Sequence, residues 1–352
     1  MSWVFWTAAQ TRHLNYTDMS HQIVIQPKGL SFNALPDENI LDAATRAGIR
    51  IRKSCENGVC EICRATLMAG TVQTPEGSFN ADHPDVNPLL TCVSQARSDL
   101  ILELQKVLGP GEIPLQHIAF QIDNVTQLND HVYQVNLLAP AGKLADYHAG
   151  QYLELLIDGG EYPFTIANAP GQRELELHLG VDKDNESSLN ILKYLQDNAT
   201  VRVRLPKGDV WLKPKQDPSN LHHPLIFIVA GTGFAQAKAM IEEQFKHQHS
   251  ALSLYWVNRE AHSFYSDLPQ QWADQGLIKF HAMTSDKPDC EFFSRHTVEE
   301  LIASDINNIE QIEVVACGGP GFVYSVLDGL ESKGLKQSQM QSDVFAYAPR
   351  PT

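Results

Sequence analysis

The cysteines are the residues of this sequence whose spacing most directly indicates chemistry. Four of the six cysteines lie between Cys55 and Cys92, and the other two, Cys290 and Cys317, stand far downstream. A disulfide framework is typical of small secreted chains, whereas this chain has 352 residues and no basic start followed by a long apolar stretch. Clustered cysteines in such a chain favour metal ligation, and we expect a cytoplasmic protein.

The spacing of the clustered cysteines narrows the kind of metal site. Cys55, Cys60 and Cys63 follow the pattern C-x4-C-x2-C, and Cys92 is a distant fourth cysteine. A tight loop presents three thiolates from one side, and a fourth from a separate segment completes the ligands of two tetrahedral irons. This spacing is that of plant-type ferredoxins and differs from the C-x2-C pairs of structural zinc sites. A zinc site and unligated buried cysteines are the alternatives.

The segment from His21 to Lys106 resembles the plant-type ferredoxin family. The resemblance rests on the phrases NILDAATRAG before the cysteine loop, SCENGVCEIC in the loop and LLTCVSQARSDL around the last cysteine. It implies a β-grasp fold that holds a [2Fe–2S] cluster on the four clustered cysteines. The family usually has a small residue after the second cysteine, and Glu61 stands there without removing a ligand.

The segment 150–169, GQYLELLIDGGEYPFTIANA, resembles the flavin-binding barrel of the ferredoxin–NADP reductase superfamily. The resemblance implies that Phe164 packs against the isoalloxazine ring and that Thr165 hydrogen-bonds to flavin N5. Such a hydroxyl makes chemical sense because N5 gains and loses a proton. We expect FAD, with FMN as the alternative, and Pro163, His178 and Gly180 as further flavin-site residues.

The phosphate-binding part of this flavin signature departs from the family. Tyr162 stands where the family has an Arg that neutralises the flavin phosphates. The second phosphate element, a Gly-x-x-Ser helix entry, is partial at Asn185–Ser188, where Ser187 and Ser188 are the candidate contacts. The free amides of a helix N-terminus could still hold an anion there.

Two glycine-containing turns and the end of one further strand indicate a nicotinamide nucleotide. Val229–Phe234 ends an apolar run and opens a helical stretch, Tyr255–Arg259 ends the next strand, and Ala316–Gly321 follows a later one. A lone Gly-x-Gly is weak evidence, but the superfamily has matching elements at all three places. The resemblance makes Thr165 and Cys317 the catalytic residues, with a buried structural cysteine as the alternative for Cys317. The implied nucleotide contacts are Gly231, Thr232, Gly233, Phe234, Asn258, Arg259, Cys317, Gly318, Gly319 and Pro320.

Arg259 leaves the choice of nucleotide open. It could bind a ribose 2′-phosphate or be an ordinary surface charge, so NADH and NADPH both remain candidates. Near the C-terminus, the resemblance predicts a last strand over Asp343–Tyr347, where Phe345 or Tyr347 could cover the flavin but a core position is favoured.

The elements around these motifs predict a multidomain fold. Gly and Pro residues between Gly109 and Pro114 form the clearest boundary. Short β segments then predict an antiparallel barrel with one helix, Ser188–Gln196, capped by Ser187 or Ser188. From Leu225 onward, strands alternate with helices and predict a doubly wound parallel sheet. The expected domains are a tail at 1–18, the ferredoxin domain at 19–108, the flavin barrel at 115–215 and the nucleotide domain at 222–352.

Composition excludes several classes of function. Hydrophobic residues make up 43% of the chain and charged residues 20%, as in a globular protein. The net charge of −15 argues against nucleic-acid binding. No apolar run reaches the roughly 18 residues of a membrane span.

Together the modules predict an NAD(P)H-dependent reductase. Nicotinamide gives a hydride, a cluster takes one electron at a time, and a flavin does both. The domain order resembles reductase components that feed oxygenases, our first hypothesis for the partner. CDP-6-deoxy-glucoseen reductases, which feed a dehydratase component in sugar deoxygenation, are the second, and an NAD(P)H:flavin reductase is the third. The non-enzymatic alternative is an electron carrier or docking protein without flavin.

Overall fold

The computed structural model describes residues 20–83, 87–213, 223–246, 251–284, 295–301 and 308–350. The tail predicted at 1–18 and Cys290 lie outside these residues. The chain forms two compact units that divide between Pro114 and Leu115. The flavin and nucleotide segments both belong to the second unit, so the division into three domains stays a prediction.

The first unit contains one helix, α1, among the residues that the structure describes between 20 and 114. Its elements are β1 (His21–Gln26), β2 (Leu30–Ala34), α1 (Ile40–Arg46), β3 (Arg64–Ala69), β4 (Thr71–Thr74), β5 (Gly77–Asn80), β6 (Leu89–Leu90), β7 (Gln95–Ala96) and β8 (Leu100–Glu103). The main sheet has the order β2-β1-β8-β3-β6, in which only β1 and β8 run parallel. A smaller antiparallel sheet has the order β5-β4-β7. This is the expected β-grasp arrangement.

Apolar residues at sheet and helix spacing build the core of the first unit. Ile23 and Ile25 alternate along β1 and are fully buried. Ile40 and Leu41 are buried on α1. The N-cap of this helix is Asn39, whose side chain accepts a hydrogen bond from the backbone N–H of Asp42. Each fully buried Ile or Leu contributes roughly 1.5–3 kcal/mol.

The second unit begins with a six-stranded antiparallel sheet that curls as a half-barrel. Its order is β12-β11-β14-β9-β10-β13, and α2 connects β13 to β14. The elements are β9 (Gln116–Gln127), β10 (Val132–Leu138), β11 (Tyr152–Ile157), β12 (Gly160–Thr165), β13 (Glu174–Gly180), α2 (Glu186–Asp197) and β14 (Thr200–Lys207).

A five-stranded parallel sheet completes the second unit, in the order β17-β16-β15-β18-β19. Its elements are β15 (Leu225–Ala230), a 3₁₀ turn (Gly231–Gly233), α3 (Phe234–Lys246), β16 (Leu252–Asn258), α4 (Leu268–Asp274), β17 (Lys279–Thr284), β18 (Glu313–Cys317), α5 (Pro320–Glu331), β19 (Met340–Gln341) and α6 (Val344–Tyr347). All seven residues of β16 are buried. Burial on both faces explains why these strands read as continuous apolar runs.

Two local predictions are wrong in detail. The helix expected to begin at Ser187 or Ser188 is capped by Asn185, because this side chain reaches the amides of both serines. The strand expected over Asp343–Tyr347 is the short helix α6, and the nearby pairing to β18 is made by β19. No helix among the described residues has the length and apolar character needed to cross a membrane.

Candidate active site

The cysteine loop runs from Cys55 to Cys63 and leads directly into β3. Glu56, Gly58 and Glu61 have φ values of 56°, 82° and 56°. These left-handed residues turn the chain repeatedly, so that several backbone amides can face one sulfur.

Backbone amides converge on the first cysteine of the loop. The N–H of Cys60 donates to the Sγ of Cys55 at 3.3 Å. Hydrogen bonds from the amide of Asn57, and then from those of Cys60 and Val59, lower the pKa of the Cys55 thiol to about 6. A thiolate is the form that binds iron, so this loop is suited to a metal–sulfur ligand.

The second pair of cysteines is buried. Cys63 and Cys92 lie in the core of the first unit, and burial, then the neighbouring Cys63 thiol, raises the pKa of Cys92 to about 11. The hydroxyl of Thr91 donates to the carbonyl of Cys63 at 2.9 Å, and the N–H of Leu41 donates to the carbonyl of Thr91 at 3.0 Å. These bonds join the Cys92 segment to the loop and to α1.

The four thiols form two contacting pairs, Cys55 with Cys60 and Cys63 with Cys92. Among the described residues, no three His, Cys, Asp or Glu side chains meet around one point as the ligands of a single ion would. Two thiol pairs are the donor set of a two-iron cluster, in which each iron takes two thiolates. The residues present therefore fit a [2Fe–2S] cluster.

The second unit contains a cavity of about 1420 Å³. Its walls come from the end of β12, the connection from β13 to α2, the carboxyl ends of β15, β16 and β18, and the segment around α6. Ligands of open α/β sheets bind at this edge of the strands. The cavity brings together most of the predicted flavin and nucleotide residues, namely Pro163, Phe164, Thr165, Gly180, Ser188, Gly231, Thr232, Gly233, Asn258, Arg259, Cys317, Gly318, Gly319 and Pro320.

One wall of the cavity offers an aromatic ring and a hydroxyl. Phe164 and Thr165 are half-buried at the end of β12, and Thr165 lies opposite Tyr152 of β11, which also lines the cavity. Such a wall can hold a planar heteroaromatic ring and hydrogen-bond to one edge of it.

Two helix N-termini open into the same cavity. The turn Gly231–Gly233 leads into α3, and Gly319 precedes α5, and neither is capped by a side chain. Uncapped helix N-termini present N–H groups that bind phosphates. Gly233 is required, because a Cβ there would lie 2.6 Å from the carbonyl oxygen of Cys317.

Asn258 places an unpaired side-chain amide in the cavity wall. It ends β16 and is 7% exposed, and its Nδ2 has no hydrogen-bond partner within the described part of the chain. A buried unpaired amide is costly unless a ligand or water satisfies it. Arg259, the next residue, is exposed at the same cavity.

Cys317 is held by a glutamine that the sequence analysis missed. Its Sγ donates to Oε1 of the buried Gln236 at 2.8 Å, and Nε2 of Gln236 donates to Gly150 O at 2.7 Å and to Asp343 Oδ2 at 2.8 Å. Burial raises the pKa of Cys317 well above its usual range, so the thiol stays protonated. Burial, opposed by the Gln236 bond and assisted by Asp209, raises the pKa of Asp343 to about 6.

Four predicted site residues lie off the cavity wall, and their roles as cofactor contacts stay predictions. Tyr162 packs against the barrel core, and Ser187 is exposed on the first turn of α2. Phe234 is fully buried and stacks on Trp256 at 4.3 Å between ring centroids. His178 is buried behind the wall.

His178 belongs to a buried polar network. Its Nε2 is 2.7 Å from Glu176 Oε1, and its Nδ1 is 3.0 Å from the hydroxyl of Tyr265, which lines the cavity. The sequence analysis missed Tyr265 because no motif contains it. Gln236 had one signal, since it is a polar residue on an otherwise apolar helix start.

Comparisons with known proteins agree with this geometry. Residues 23–97 match the family model for a 2Fe-2S iron-sulfur cluster binding domain, and residues 227–328 match the oxidoreductase NAD-binding domain. A relative from Yersinia pestis, the CDP-6-deoxy-L-threo-D-glycero-4-hexulose-3-dehydrase reductase, is 29% identical over 332 residues, which cover 93% of this chain and 99% of the relative.

Two further similarities extend over nearly the whole chain. The terephthalate 1,2-dioxygenase reductase component 2 from a Comamonas species is 28% identical over 342 residues, 94% of this chain and 99% of the relative. The solved structure of the Amycolatopsis cytochrome P450 reductase GcoB has a TM-score of 0.59 and 21% identity, and covers 92% of this chain and 98% of that one. The last similarity shows the fold.

The predicted fold class and enzyme class are confirmed by these matches, and so are the [2Fe–2S] cluster and the nicotinamide nucleotide among the predicted cofactors. The chain is an NAD(P)H-dependent oxidoreductase that combines a 2Fe-2S iron-sulfur cluster binding domain at residues 23–97 with an oxidoreductase NAD-binding domain at residues 227–328.

Proposed function

We propose that this protein takes a hydride from NAD(P)H in the second unit and delivers electrons one at a time, through the cysteine-bound cluster, to a partner protein. One observation carries the proposal: the Phe164–Thr165 wall and both uncapped glycine turns face a single cavity. Flavin supplies the change from hydride to single-electron chemistry when it is bound.

The residues of the cavity have separate tasks in this proposal. Phe164 packs on the ring, and Thr165 offers a hydroxyl to its N5 edge. The turn at Gly231–Gly233 and the start of α5 bind the nucleotide's phosphates through backbone amides. Asn258 donates its unpaired amide to the same nucleotide, and Cys317, fixed as a neutral thiol, lies beside the nicotinamide.

The partner is proposed from the relatives. A dioxygenase reductase and a sugar-dehydrase reductase both align over more than nine-tenths of this chain. We place an oxygenase component first, as the domain order suggested, and a dehydrase component of sugar deoxygenation second. We also propose a cytoplasmic location, where free thiols and NAD(P)H are both maintained.

The test is an anaerobic titration of the full chain with NADH and then NADPH, after addition of excess FAD. We expect the flavin absorbance to bleach and a reduced [2Fe–2S] signal to appear in low-temperature EPR. A cluster that neither nucleotide reduces would contradict the proposal and leave an electron carrier.

The variant Cys92→Ala distinguishes the cluster of the first unit from the flavin chemistry of the second unit, because it removes one thiol of the buried cysteine pair. We expect its flavin to bleach normally while iron content and the EPR signal fall to background. Cys317→Ala is the matched control and should keep its iron. A Cys92→Ala protein with full iron content would argue against the proposed ligand set.

A further inference from the structure

We propose that the flavin side of the cavity recognises the isoalloxazine ring and not the phosphates, so that the protein binds riboflavin, FMN and FAD alike and reduces free flavin as a substrate. The inference rests on the proposed hydride transfer from NAD(P)H and adds a second, partner-independent activity to it.

The charges of the cavity wall are the first observation. Among the described lining residues, Arg259 is the only Lys or Arg, and it belongs to the end of β16. Four carboxylates line the same cavity, those of Asp182, Asp209, Glu260 and Asp343. Tight binding of a diphosphate normally uses cations, and among the described lining residues none of those from the half-barrel is a Lys or Arg.

The helix that faces the flavin side is already capped. The Oδ1 of Asn185 accepts the N–H of Ser187 at 3.0 Å and that of Ser188 at 3.2 Å. The Ser188 hydroxyl donates to the carbonyl of Asn185 at 2.9 Å and accepts the N–H of Asp182 at 3.2 Å. The amides of Ser187 and Ser188 and the Ser188 hydroxyl, which are the donors that a phosphate at α2 would most readily use, are therefore engaged within the chain.

The helix N-termini on the nucleotide side of the cavity differ from that of α2. The turn at Gly231–Gly233 and the start of α5 have no side-chain cap, whereas α2 has one. Asp182, Asp184 and Glu186 place three carboxylates around the start of α2, against the single cation Lys183. Carboxylates at a helix N-terminus compensate its dipole and repel an added anion. The two uncapped helix N-termini, those of α3 and α5, are suited to the phosphates of one dinucleotide, whereas the N-terminus of α2 is capped.

Two cations of β14, Arg204 and Lys207, are also engaged. Tyr162 packs against the barrel core and offers no charge. Arg204 forms ion pairs with Glu154 and Glu161, and Lys207 pairs with Glu154 at 2.6 Å. A phosphate would have to compete with these carboxylates for the two cations.

The groups that remain on this side are suited to a ring. Phe164, Thr165, Tyr152 and Val210 line the cavity and are half-buried or buried. All flavins share the ring that these residues would contact, so recognition through them cannot distinguish riboflavin from FAD.

The reaction balances with the nucleotide as the only reductant. NAD(P)H transfers a hydride, which is one proton and two electrons, to the oxidised flavin, and a second proton comes from solvent. NAD(P)⁺ and the reduced flavin then leave the protein.

The experiment compares three flavins on the full chain with its cluster intact. Gel filtration should remove the flavin, after which fluorescence quenching gives dissociation constants for riboflavin, FMN and FAD. We expect the riboflavin and FAD constants to differ by less than about tenfold, which corresponds to about 1.4 kcal/mol. We also expect saturable NAD(P)H oxidation with free riboflavin. A ratio above tenfold, or FAD that survives gel filtration, would overturn the proposal.

Two variants test the closed helix terminus directly. Asn185→Gly frees two amides at little cost to the helix, and Asp184→Lys replaces an exposed carboxylate by a cation. We expect each to tighten FMN and FAD about two- to fivefold relative to riboflavin. Asn308→Gly is the matched control, because Asn308 also caps a helical turn, and its ratios should not change. If the affinities for FMN and FAD relative to riboflavin were as unchanged in Asn185→Gly and Asp184→Lys as in the control, the result would contradict the proposal.

Failure of this inference is distinguishable from failure of the proposed function. If FAD alone binds tightly and NAD(P)H still reduces the cluster, only the inference fails. If all flavins bind alike but neither nucleotide reduces any flavin, the proposed hydride transfer fails.

Discussion

At the scale of single residues, Gln236 connects two groups that the primary sequence places far apart. Its amide orients the Cys317 thiol and holds the Asp343 carboxyl on the cavity wall. Because the amide oxygen faces the thiol and the amide nitrogen faces the carboxyl, this arrangement favours a protonated thiol and an ionised carboxylate. Asp343 therefore carries a charge in a place where burial opposes it.

Asp343 makes the stability of the second unit depend on pH. Its pKa of about 6 lies above its ordinary value of 3.8, so the folded state binds more protons than the unfolded state between these values. Stability should fall as pH rises through this window, by about 2–3 kcal/mol. Asp343→Asn removes the cost, so we expect a higher melting temperature than wild type at pH 8 and a similar one near pH 4.

The control for this prediction is Asp123→Asn, which removes an exposed carboxylate of β9. Its melting temperature relative to wild type should be the same at both pH values. If the difference in melting temperature between Asp343→Asn and wild type were also the same at both pH values, ionisation of the Asp343 carboxyl would not destabilise the folded state.

At the scale of elements, a buried ion network joins the half-barrel to the nucleotide sheet's first helix. Lys238 of α3 pairs with Glu176 of β13 at 3.1 Å and with Glu242 at 2.9 Å. Burial acts to raise the pKa of Glu176, but His178 and Lys238 together hold it below its usual range. This charge network is satisfied only while both elements are in place.

Lys238→Met should strongly destabilise this connection. The Lys238 side chain is 6% exposed and that of Glu176 is 17% exposed. Removing the cation leaves the largely buried Glu176 with only His178 as a side-chain partner among the described residues, and it also takes the cation from Glu242. We expect a loss of about 3–5 kcal/mol, measured by urea unfolding of the second unit. Lys193→Met removes an exposed partner of Asp197 and should cause no measurable change. Equal effects of the two substitutions would contradict the assigned role of burial.

A second prediction at this scale concerns the turn after β15, which lies close to the end of β18. Gly233→Ala should push the turn away from Cys317, because its Cβ would lie 2.6 Å from a backbone oxygen. We expect a loss of about 1–3 kcal/mol and a lower melting temperature. Gly321→Ala on α5 meets no atom within 4 Å and should leave the melting temperature unchanged or raise it. A stable Gly233→Ala protein would show that the turn can shift freely.

At the scale of the whole molecule, the net charge of −15 should govern encounters with redox partners. Opposite charges accelerate association, and salt screens the effect. We expect NAD(P)H-driven reduction of cytochrome c, a basic acceptor, to slow several-fold between about 20 and 200 mM salt. Reduction of ferricyanide, an anion, should instead speed up. Equal salt dependence for both acceptors would exclude steering by net charge.

The sequence by itself determined the chemistry that depends on short-range spacing. The C-x4-C-x2-C pattern, the strand that ends in YPFT and the glycine turns after apolar runs each act within about ten residues, so their form is readable from order alone. Local patterns also predicted the antiparallel and parallel sheets, whereas the β-grasp fold was implied by the resemblance to plant-type ferredoxins.

Only the tertiary structure decided how distant segments complete the site. The contacts of Gln236 with Cys317 and Asp343 span 81 and 107 residues, and that of His178 with Tyr265 spans 87. Local patterns do not encode which side chains will face each other after such segments pack. Even the cap of α2 was misassigned, because three neighbouring polar residues have suitable chemistry and backbone geometry selects Asn185. That choice occupies the amides of Ser187 and Ser188, and only folding reveals it.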